Sequence, residues 1–346
     1  MKENSRFYDI STNLMKINYS FYFLLIIGLI LIIGVGCKKE KVILPEVSTA
    51  EVTIVTPVSA SCSGIVISAG TSSLTEKGLC WSNSSLPTID DSTVSTYLYP
   101  YLVAFELRIG GLNPETTYYV RAYATSEAGT SYGNELSFTT PLDFTGEKGS
   151  VSDVDGNIYQ TIGIGSQFWI TENLKTTKLN DGTSIPMVTD NTAWGMLFTP
   201  AYCWYNNDEL SNKSIYGALY NWYAVGTGKL CPLGWHVPSD TEWKDIEVFL
   251  GGRDIAGGKM KLQGADYWRS PNIGATNSSG FSATPAGVRG GSEDGLFYDK
   301  GTDNVFWTST GMTTHSWNRD LYYYNTILDR GSNEIQCGLS VRCIKD

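Results

Sequence analysis

The sequence has very little histidine and little charge. Of its 346 residues only His236 and His315 are histidines, which excludes metal sites built from several histidine ligands. Charged residues make up 17% of the chain, and the formal net charge is −10. An acidic chain lacks the cationic surface that phosphate contacts need, which argues against a nucleic-acid-binding protein. Glycine motifs for phosphate or dinucleotide binding are absent as well.

Length and aromatic content bound the fold. A chain of 346 residues predicts two or three domains, because one hydrophobic core rarely grows beyond about 250 residues. Aromatic residues make up 12% of the chain and glycine occurs 36 times. Many aromatics with few charges argue against disorder. The abundance of Gly, Thr, Ser, Asn and Tyr is typical of secreted β-rich proteins.

An apolar run at residues 21–35 ends in Gly34, Val35, Gly36 and Cys37. A short basic start, an apolar stretch and small residues before a cut site are typical of a secretory signal peptide. A cysteine directly after the small residues resembles a bacterial lipoprotein signal. We therefore predict that residues 1–36 are removed, that Cys37 is lipidated, and that residues 37–45 form a tether.

The alternative for this run is an uncleaved transmembrane helix. Such a helix needs about 20 apolar residues, and the run over residues 21–35 is shorter than that. The start codon stays open between Met1 and Met15, because the sequence from Met15 gives the better signal start. A lipid anchor predicts a membrane partner and a place at the bacterial outer membrane or cell surface. Whether the body faces the periplasm or the exterior stays open.

Residues 46–141 predict a β-sandwich of the fibronectin type III or immunoglobulin-like class. About seven short alternating runs are separated by Gly, Ser, Asn and Pro turns, with no helical period. Leu112 and Tyr118 have the spacing of the fibronectin type III corner, where the tyrosine hydrogen-bonds back to the chain. We assign no chemistry to this domain. Cys62 and Cys80 either form a disulfide or are two buried thiols.

Residues 142–346 predict an α+β domain. Ser239 and Glu242 form a capping box that starts a helix ending at Gly251 and Gly252. A weaker pattern predicts a second helix over residues 214–225. Asp153, Asp155 and Asn157 have the opening spacing of a calcium loop, but its glycine and its final glutamate are missing, so we expect a turn.

Several segments of this domain resemble the Fibrobacter succinogenes major paralogous domain. They include YGALYNWYAV, KLCPLGWHVPSDTEW, VFWTST and the closing GLSVRCIKD. The resemblance covers about residues 148–346 and implies a surface or secreted lipoprotein. The same signature is similar to those of formylglycine-generating enzymes and C-type lectins, which implies a C-type-lectin-like fold. The calcium-binding motifs of lectins are not reproduced, so we expect no cofactor and no metal ligand set, although a structural calcium ion stays open.

Nine of the ten tryptophans lie in this domain. Sugar rings stack on aromatic side chains while Asn and Asp accept their hydroxyls, so the aromatic segments suggest a glycan site. The alternative is that the rings form the core of a loop-rich fold. The candidate ligand-binding residues are Trp204, Tyr205, Asn207, Asp208, Trp268, Trp307, Trp317 and Tyr323.

The late cysteines suggest two kinds of chemistry. The resemblance to formylglycine-generating enzymes implies a copper site at Cys337 and Cys343, but on one strand they would lie about 20 Å apart. An exported protein favours a disulfide. The lectin-like fold implies Cys231–Cys343 as the first choice, with Cys203 and Cys337 as a second pair.

The carboxylates show no catalytic pair. The candidates are Glu172, Asp208, Glu209, Asp240, Glu242, Glu293 and Asp294. His236 and His315 lack the sequence context of a catalytic triad. We therefore expect a non-catalytic surface protein that binds a glycan or another ligand. The alternatives are an enzyme of the formylglycine-generating type and a structural part of an adhesive surface layer.

Overall fold

The computed structural model describes residues 41–98, 104–292 and 294–346. Cys37 and the apolar run before it lie outside these residues, so the predicted signal and lipid site are not described. Within the described part of the chain, no helix is long and apolar enough to cross a membrane. The described residues form a β-sandwich followed by a mixed domain with short helices.

The first domain is a sandwich of two antiparallel sheets. Strands β1, β2 and β5 form one sheet, and β4, β3, β6 and β7 form the other, in which β8 pairs with β6. The strands are β1 (Glu46–Thr56), β2 (Ser59–Ser68), β3 (Leu74–Ser82), β4 (Ser92–Thr96), β5 (Ala104–Gly110), β6 (Thr117–Ser126), β7 (Gly129–Tyr132) and β8 (Leu136–Thr139). This order confirms the predicted sandwich.

The corner before β6 has the predicted geometry. The hydroxyl of Tyr118 accepts a hydrogen bond from the backbone N–H of Asn113 at 3.0 Å. Leu112 is buried in the sandwich core beside it. The tyrosine ring therefore contributes apolar area to the core, while its hydroxyl satisfies a backbone donor of the turn.

The two cysteines of the sandwich are buried and unpaired. Cys62 and Cys80 are both 0% exposed, and neither forms a disulfide. Burial raises the pKa of Cys62 to about 12 and that of Cys80 to about 11. Of the two alternatives left open by the sequence, the structure therefore has the buried thiols, which act as small apolar side chains.

The second domain contains one five-stranded sheet, one three-stranded sheet and two short pairs. The five-stranded sheet has the order β14-β20-β11-β10-β9, and the three-stranded sheet is β17-β18-β19. The strands are β9 (Lys148–Ser152), β10 (Ile158–Ile164), β11 (Gln167–Ile170), β12 (Tyr202–Cys203), β13 (Leu219–Tyr220), β14 (Trp235–His236), β15 (Val288–Arg289), β16 (Phe297–Tyr298), β17 (Asp303–Gly311), β18 (His315–Tyr322), β19 (Asp329–Glu334) and β20 (Ile344–Lys345). The helices are α1 (Asn191–Gly195), α2 (Glu209–Tyr216), α3 (Trp222–Val225), α4 (Asp240–Phe249) and α5 (Arg253–Met260), with a 3-10 turn at Tyr205–Asn207.

Strand β17 lies between two hydrophobic clusters. Val305 and Trp307 point into one cluster, and Phe306 points into the other, as the alternation of a strand requires. Six of the nine tryptophans of this domain are fully buried. Trp169 and Trp243 pack against each other with ring centroids 4.9 Å apart. The aromatic excess of the sequence is therefore mostly core.

Helix α4 confirms the sequence prediction. The Ser239 hydroxyl accepts from the backbone N–H of Glu242, and the Glu242 carboxylate accepts from the backbone N–H of Ser239 at 2.7 Å. These two bonds satisfy donors that the first turn leaves free. Gly251 follows the helix with a φ of 107°, a conformation that suits glycine.

The predicted helix over residues 214–225 is wrong. The chain forms the end of α2, then β13, then α3. Gly217 interrupts the helix with a φ of 72°, and a Cβ there would lie 2.7–2.9 Å from Asn173 and Leu174. Leu219 and Tyr220 then pair with β12 instead of continuing a helix. Tertiary contact has overridden the local helical pattern.

Buried cationic side chains connect the loops of this domain. Arg342 is 0% exposed and donates to the carbonyls of Ile170, Phe281 and Ser282 and to the Asn173 side chain. These donors satisfy acceptors in the loops and at the end of β11.

Arg289 and Lys261 also donate hydrogen bonds to backbone carbonyls in other parts of this domain. Arg289 is 0% exposed and donates to the carbonyls of Val188, Thr189 and Gly295. Lys261 is 0% exposed, and its Nζ donates to three carbonyl oxygens at 2.8–3.0 Å. Each buried charge thus meets several acceptors, as burial of a cation requires.

Candidate functional site

Three of the predicted ligand-binding residues lie inside the protein. Trp204, Trp268 and Trp307 are 0–1% exposed. The indole N–H of Trp268 donates to the carbonyl of Ala283, and that of Trp307 donates to the carbonyl of Tyr220. A sugar needs an accessible ring face, so these three residues do not belong to a binding surface. The core alternative is correct for them because their rings fill the two clusters.

Tyr205, Asn207 and Asp208 shape a turn. The Asp208 side chain accepts from the backbone N–H of Ser211 and caps helix α2. Asn207 donates to the carbonyl of Thr189 at 3.0 Å. The ring of Tyr205 packs against Phe297, with centroids 5.3 Å apart. These contacts explain the residues structurally, and their binding role stays a prediction.

Trp317 and Tyr323 are half-buried, and each carries an arginine over its ring. The guanidinium of Arg330 lies 3.4 Å from the ring centroid of Trp317. The guanidinium of Arg269 lies 5.3 Å from that of Tyr323. One face of each ring is therefore already in a cation–π contact. The eight predicted residues do not form a shared aromatic platform.

A polar cleft of about 370 Å³ brings together residues that the sequence leaves apart. It lies between the segment that joins β15 to β16 and the facing ends of β18 and β19. We call it the polar cleft. Its lining residues are Gly290, Gly291, Asp294, Tyr298, His315, Ser332, Asn333, Glu334 and Cys337.

Strand pairing places one wall of the polar cleft. His315 begins β18 and lies directly opposite Glu334, which ends β19. Trp317 lies opposite Ser332 in the same pairing, one step further along the face. The wall is therefore a histidine, a carboxylate and a hydroxyl on neighbouring strands, with the predicted Trp317 beside it.

Both carboxylates of the polar cleft are held in their ionised form. Glu334 accepts from the hydroxyl and the backbone N–H of Ser292, and these bonds lower its pKa. Asp294 accepts from the Tyr298 hydroxyl and from the backbone N–H of Leu296, which also lowers its pKa. Hydrogen bonds to a carboxylate favour the charged form. The cleft therefore presents two acceptors at neutral pH.

Two glycines allow these carboxylates to approach the backbone. A Cβ on Gly290 would lie 2.4 Å from Asp294 Oδ1, and a Cβ on Gly291 would lie 2.7 Å from Glu334 Oε2. Any side chain at either position would displace a carboxylate. The Gly-Gly pair is thus part of the cleft, although neither glycine has a functional group.

Cys337 contributes an unreactive thiol. Burial, followed by the charge of Glu334, raises the pKa of Cys337 to about 12. Cys343 forms a disulfide with Cys231, with Cα atoms 6.0 Å apart. The predicted Cys231–Cys343 pair is therefore confirmed. A copper site that uses Cys337 and Cys343 would need a thiol that this disulfide removes.

The predicted second disulfide is wrong. Cys203 and Cys337 are both unpaired. Cys203 is fully buried, where burial raises the pKa of its thiol to about 12, and it lies in a different cluster from the polar cleft. Topology keeps the two sulfur atoms in different environments.

Asp153, Asp155 and Asn157 form a turn and not a calcium loop. Asp153 accepts from the backbone N–H groups of Asp155 and Asn157 and from the Tyr159 hydroxyl. Burial opposes ionisation of Asp155, but hydrogen bonds from Thr177 and the ammonium of Lys178 lower its pKa to about 2. Protein donors thus occupy the oxygens that a cation would need. Across the described parts of the chain, no group of three His, Cys, Asp or Glu side chains is arranged for a metal ion.

Sequence reasoning missed most of the polar cleft. Asp294, His315 and Cys337 were considered separately, while Tyr298, Ser332, Asn333 and Glu334 carry no local motif. Glu293, another candidate carboxylate, lies outside the described residues. The pairing of β18 with β19 brings His315, Ser332 and Glu334 together, and the segment between β15 and β16 adds Asp294 and Tyr298. No sequence spacing encodes these contacts.

Comparison with known proteins identifies the family. The sequence model of the Fibrobacter succinogenes major domain matches residues 162–345, just over half of the chain. The chain belongs to this family. The family match begins inside β10, so the β-hairpin formed with β9 extends the folded domain before the matched region. No curated protein matches the chain significantly.

Solved structures are similar over about a third of the chain. The sensor domain of the anti-sigma factor RsgI4 of Pseudobacteroides cellulosolvens is 22% identical, with 32% of this chain and 100% of that chain covered and a TM-score of 0.23. The sixth domain of human fibronectin type III domain containing protein 3 is 23% identical, with 31% and 91% covered and a TM-score of 0.21. The strand order described above, and not these scores, defines the sandwich.

Proposed function

We propose that this member of the Fibrobacter succinogenes major domain family is a surface or extracellular binding protein. In this proposal the polar cleft binds the hydroxyl groups of a glycan, and the sandwich is a spacer. The observation that carries it is the pair of ionised carboxylates, Asp294 and Glu334, in one cleft with Asn333 and Ser332. Carboxylate and amide oxygens accept hydroxyl protons, and amide and hydroxyl groups also donate.

The ionisation of the cleft supports binding over hydrolysis. Glycoside hydrolysis needs one carboxyl group that is protonated at the working pH. In the polar cleft the pKa values of Asp294 and Glu334 are both lowered. Cys337 has a pKa raised to about 12 and is a poor nucleophile at neutral pH. The proposal is therefore a non-catalytic role without a cofactor.

The anchor and the finer fold assignment remain parts of the proposal. Lipidation at Cys37, retention at the outer membrane or cell surface, and a C-type-lectin-like fold rest on the sequence resemblances. The Cys231–Cys343 disulfide supports an oxidising compartment. We expect Cys37→Ala to abolish membrane retention in a fractionation experiment, and retention of the variant would contradict the anchor.

A glycan array with the full chain in detergent tests the binding role. Glu334→Gln and Asp294→Asn keep the volume of each side chain but remove its charge. Because a hydrogen bond to a charged acceptor contributes about 1.5–3 kcal/mol, each variant should weaken binding about tenfold or more. The exposed Glu209→Gln on helix α2 is the matched control. Absence of any glycan binding, or equal binding by all variants, would refute the proposal.

A further inference from the structure

A second, smaller cavity lies on the terminal domain and shares no residue with the polar cleft. It has a volume of about 240 Å³, and we call it the small pocket. Its walls come from the segment after β11, from helix α2 and from residues 262–284. The side chains that matter below are Glu172, Ser214, Tyr267 and Arg342.

The buried guanidinium of Arg342 lines the small pocket. Among the described residues, its four acceptors take four of its five N–H groups. Nη1 donates twice, to Ile170 and Phe281, whereas Nη2 carries two hydrogens and has one acceptor, Ser282, at 3.2 Å. One N–H of Nη2 therefore has no acceptor among the described residues, but the side chain is 0% exposed, so Arg342 forms a wall of the small pocket and does not reach a ligand.

Arg342 is also fixed in place. Its guanidinium stacks on the ring of Phe281, 4.5 Å from the centroid, and the side chain is 0% exposed. A wall held this firmly loses little conformational entropy when a ligand binds.

The rim supplies an acceptor and an aromatic wall. One carboxylate oxygen of Glu172 accepts a hydrogen bond from the ammonium of Lys175 at 2.8 Å. Its other oxygen accepts a longer hydrogen bond, at 3.4 Å, from the backbone N–H of Gln160. Tyr267 is 38% exposed and meets Tyr216 edge to face at 6.2 Å. The pocket thus combines an acceptor, a partly exposed ring and a rigid wall.

From this arrangement we infer that the small pocket binds a single neutral sugar ring. The ring would stack on Tyr267 and donate a hydroxyl proton to Glu172. The volume is below the range of about 300–1,000 Å³ usual for drug-sized ligands, which limits the occupant to about one ring. The carboxylate of Glu172 at the rim disfavours phosphate and sulfate. The ligand class rests on the proposed function, but the site is independent of the polar cleft.

Saturation-transfer NMR on the full chain in detergent tests the inference. The probes are methyl α-D-glucoside, methyl α-D-mannoside and methyl β-D-galactoside, with sodium sulfate as the anionic probe. We expect at least one glycoside to bind the wild type. Tyr267→Ala and Glu172→Gln should each weaken that binding about five- to tenfold, the loss of one stacking or hydrogen-bonding contact. Tyr324→Ala, an exposed tyrosine outside the pocket, should leave it unchanged.

A filling variant keeps the test valid if Tyr267→Ala does not fold. Ser214 is exposed on helix α2 at the rim, so Ser214→Trp should occupy the pocket without entering the core. It should abolish glycoside binding, while Glu334→Gln in the polar cleft should not affect it.

Several results would overturn the inference. They are failure of every glycoside to bind, unchanged binding by Ser214→Trp or Glu172→Gln, and sulfate binding that strengthens in Glu172→Gln. If one of these results is obtained while glycans still bind on the array and lose affinity in Glu334→Gln, only the small-pocket inference fails. If Glu334→Gln has no effect on the array but Ser214→Trp does, the polar cleft fails and the small pocket stands.

Discussion

The two folded domains satisfy their backbone groups in different ways. In the sandwich, the eight described strands pair with one another, and neighbouring strands exchange the backbone hydrogen bonds. In the terminal domain, long segments between short strands turn their carbonyls inward, and Arg289, Arg342 and Lys261 donate to them. The comparison shows that a loop-rich domain can use buried cations where a sheet uses strand neighbours.

The cysteines follow the same division. The sandwich keeps Cys62 and Cys80 as buried thiols, and Cys62 lies within its apolar core. The terminal domain forms a disulfide between residues 112 positions apart in the chain. A crosslink over so long a loop restricts the unfolded chain and supports a domain whose core is divided into separate clusters.

The largest expected effect is loss of an arginine of the terminal domain. Arg342→Met leaves three carbonyls and the Asn173 side chain without their donor. We expect a loss of roughly 3–5 kcal/mol in the free energy of unfolding. Urea unfolding followed by tryptophan fluorescence measures it, because nine of the ten tryptophans lie in this domain.

An arginine of the sandwich provides the control. Arg108 is exposed on β5 and donates to the Ser59 hydroxyl. Arg108→Met should cost less than about 1 kcal/mol in the free energy of unfolding. Equal losses of unfolding free energy in Arg342→Met and Arg108→Met would contradict this difference between the two domains.

Removal of the disulfide should have the next largest effect. We expect Cys231→Ala with Cys343→Ala to destabilise the terminal domain by about 2–4 kcal/mol, since the unfolded chain gains freedom. Calorimetry of the reduced and oxidised protein should show a shift in the terminal domain and none in the sandwich, whose thiols are already free. A shift in both transitions would argue that the domains unfold as one unit.

A smaller effect should come from Asp155. Its folded pKa of about 2 lies below the ordinary value of 3.8, so its contribution is present above about pH 4 and lost as the pH falls towards 2. We expect Asp155→Asn to cost about 1 kcal/mol at pH 7, after allowance for solvent screening. Unfolding at pH 7 and pH 2.5, with the exposed Asp90→Asn of the sandwich as the control, measures the difference. A cost that is independent of pH would show that the charge of Asp155 is unimportant.

The smallest expected effect comes from His236. Burial opposes its protonation, but hydrogen bonds to Asp346 at 2.7 Å and to Glu242 at 3.0 Å raise its pKa above 6.5. A raised folded pKa stabilises the fold below pH 6.5, and this contribution is lost as the pH rises through the folded value. His236→Gln should cost below about 1 kcal/mol at pH 6 and less at pH 9. Thermal unfolding at both values tests the sign, and a larger loss at pH 9 would contradict it.

The sandwich could be predicted almost completely, because its signals are local. Alternation of apolar residues predicts the strands, and the spacing of Leu112 and Tyr118 predicts the corner. The capped helix α4 was predictable for the same reason, since Ser239 and Glu242 are only three residues apart. The helix predicted over residues 214–225 was wrong because the conformation of Gly217 and the pairing of Leu219 depend on contacts with distant segments.

The polar cleft and the small pocket could not be predicted in this way. Glu334 meets Ser292, and Arg342 meets Ile170, across 42 and 172 residues of sequence. The tryptophans show the same limit of prediction from sequence. Their abundance suggested a ligand platform, but exposure depends on packing and not on composition, and Trp204, Trp268 and Trp307 are buried.

The sequence by itself determined the scarcity of histidine, the acidic balance, the sandwich strands, the capped helix and membership of the family. These properties depend on composition or on residues close together in the chain. Only the tertiary structure decided which aromatic rings are core and which carboxylates share a cleft. Those outcomes depend on contacts between segments far apart in sequence, where the burial of one group is set by the position of another.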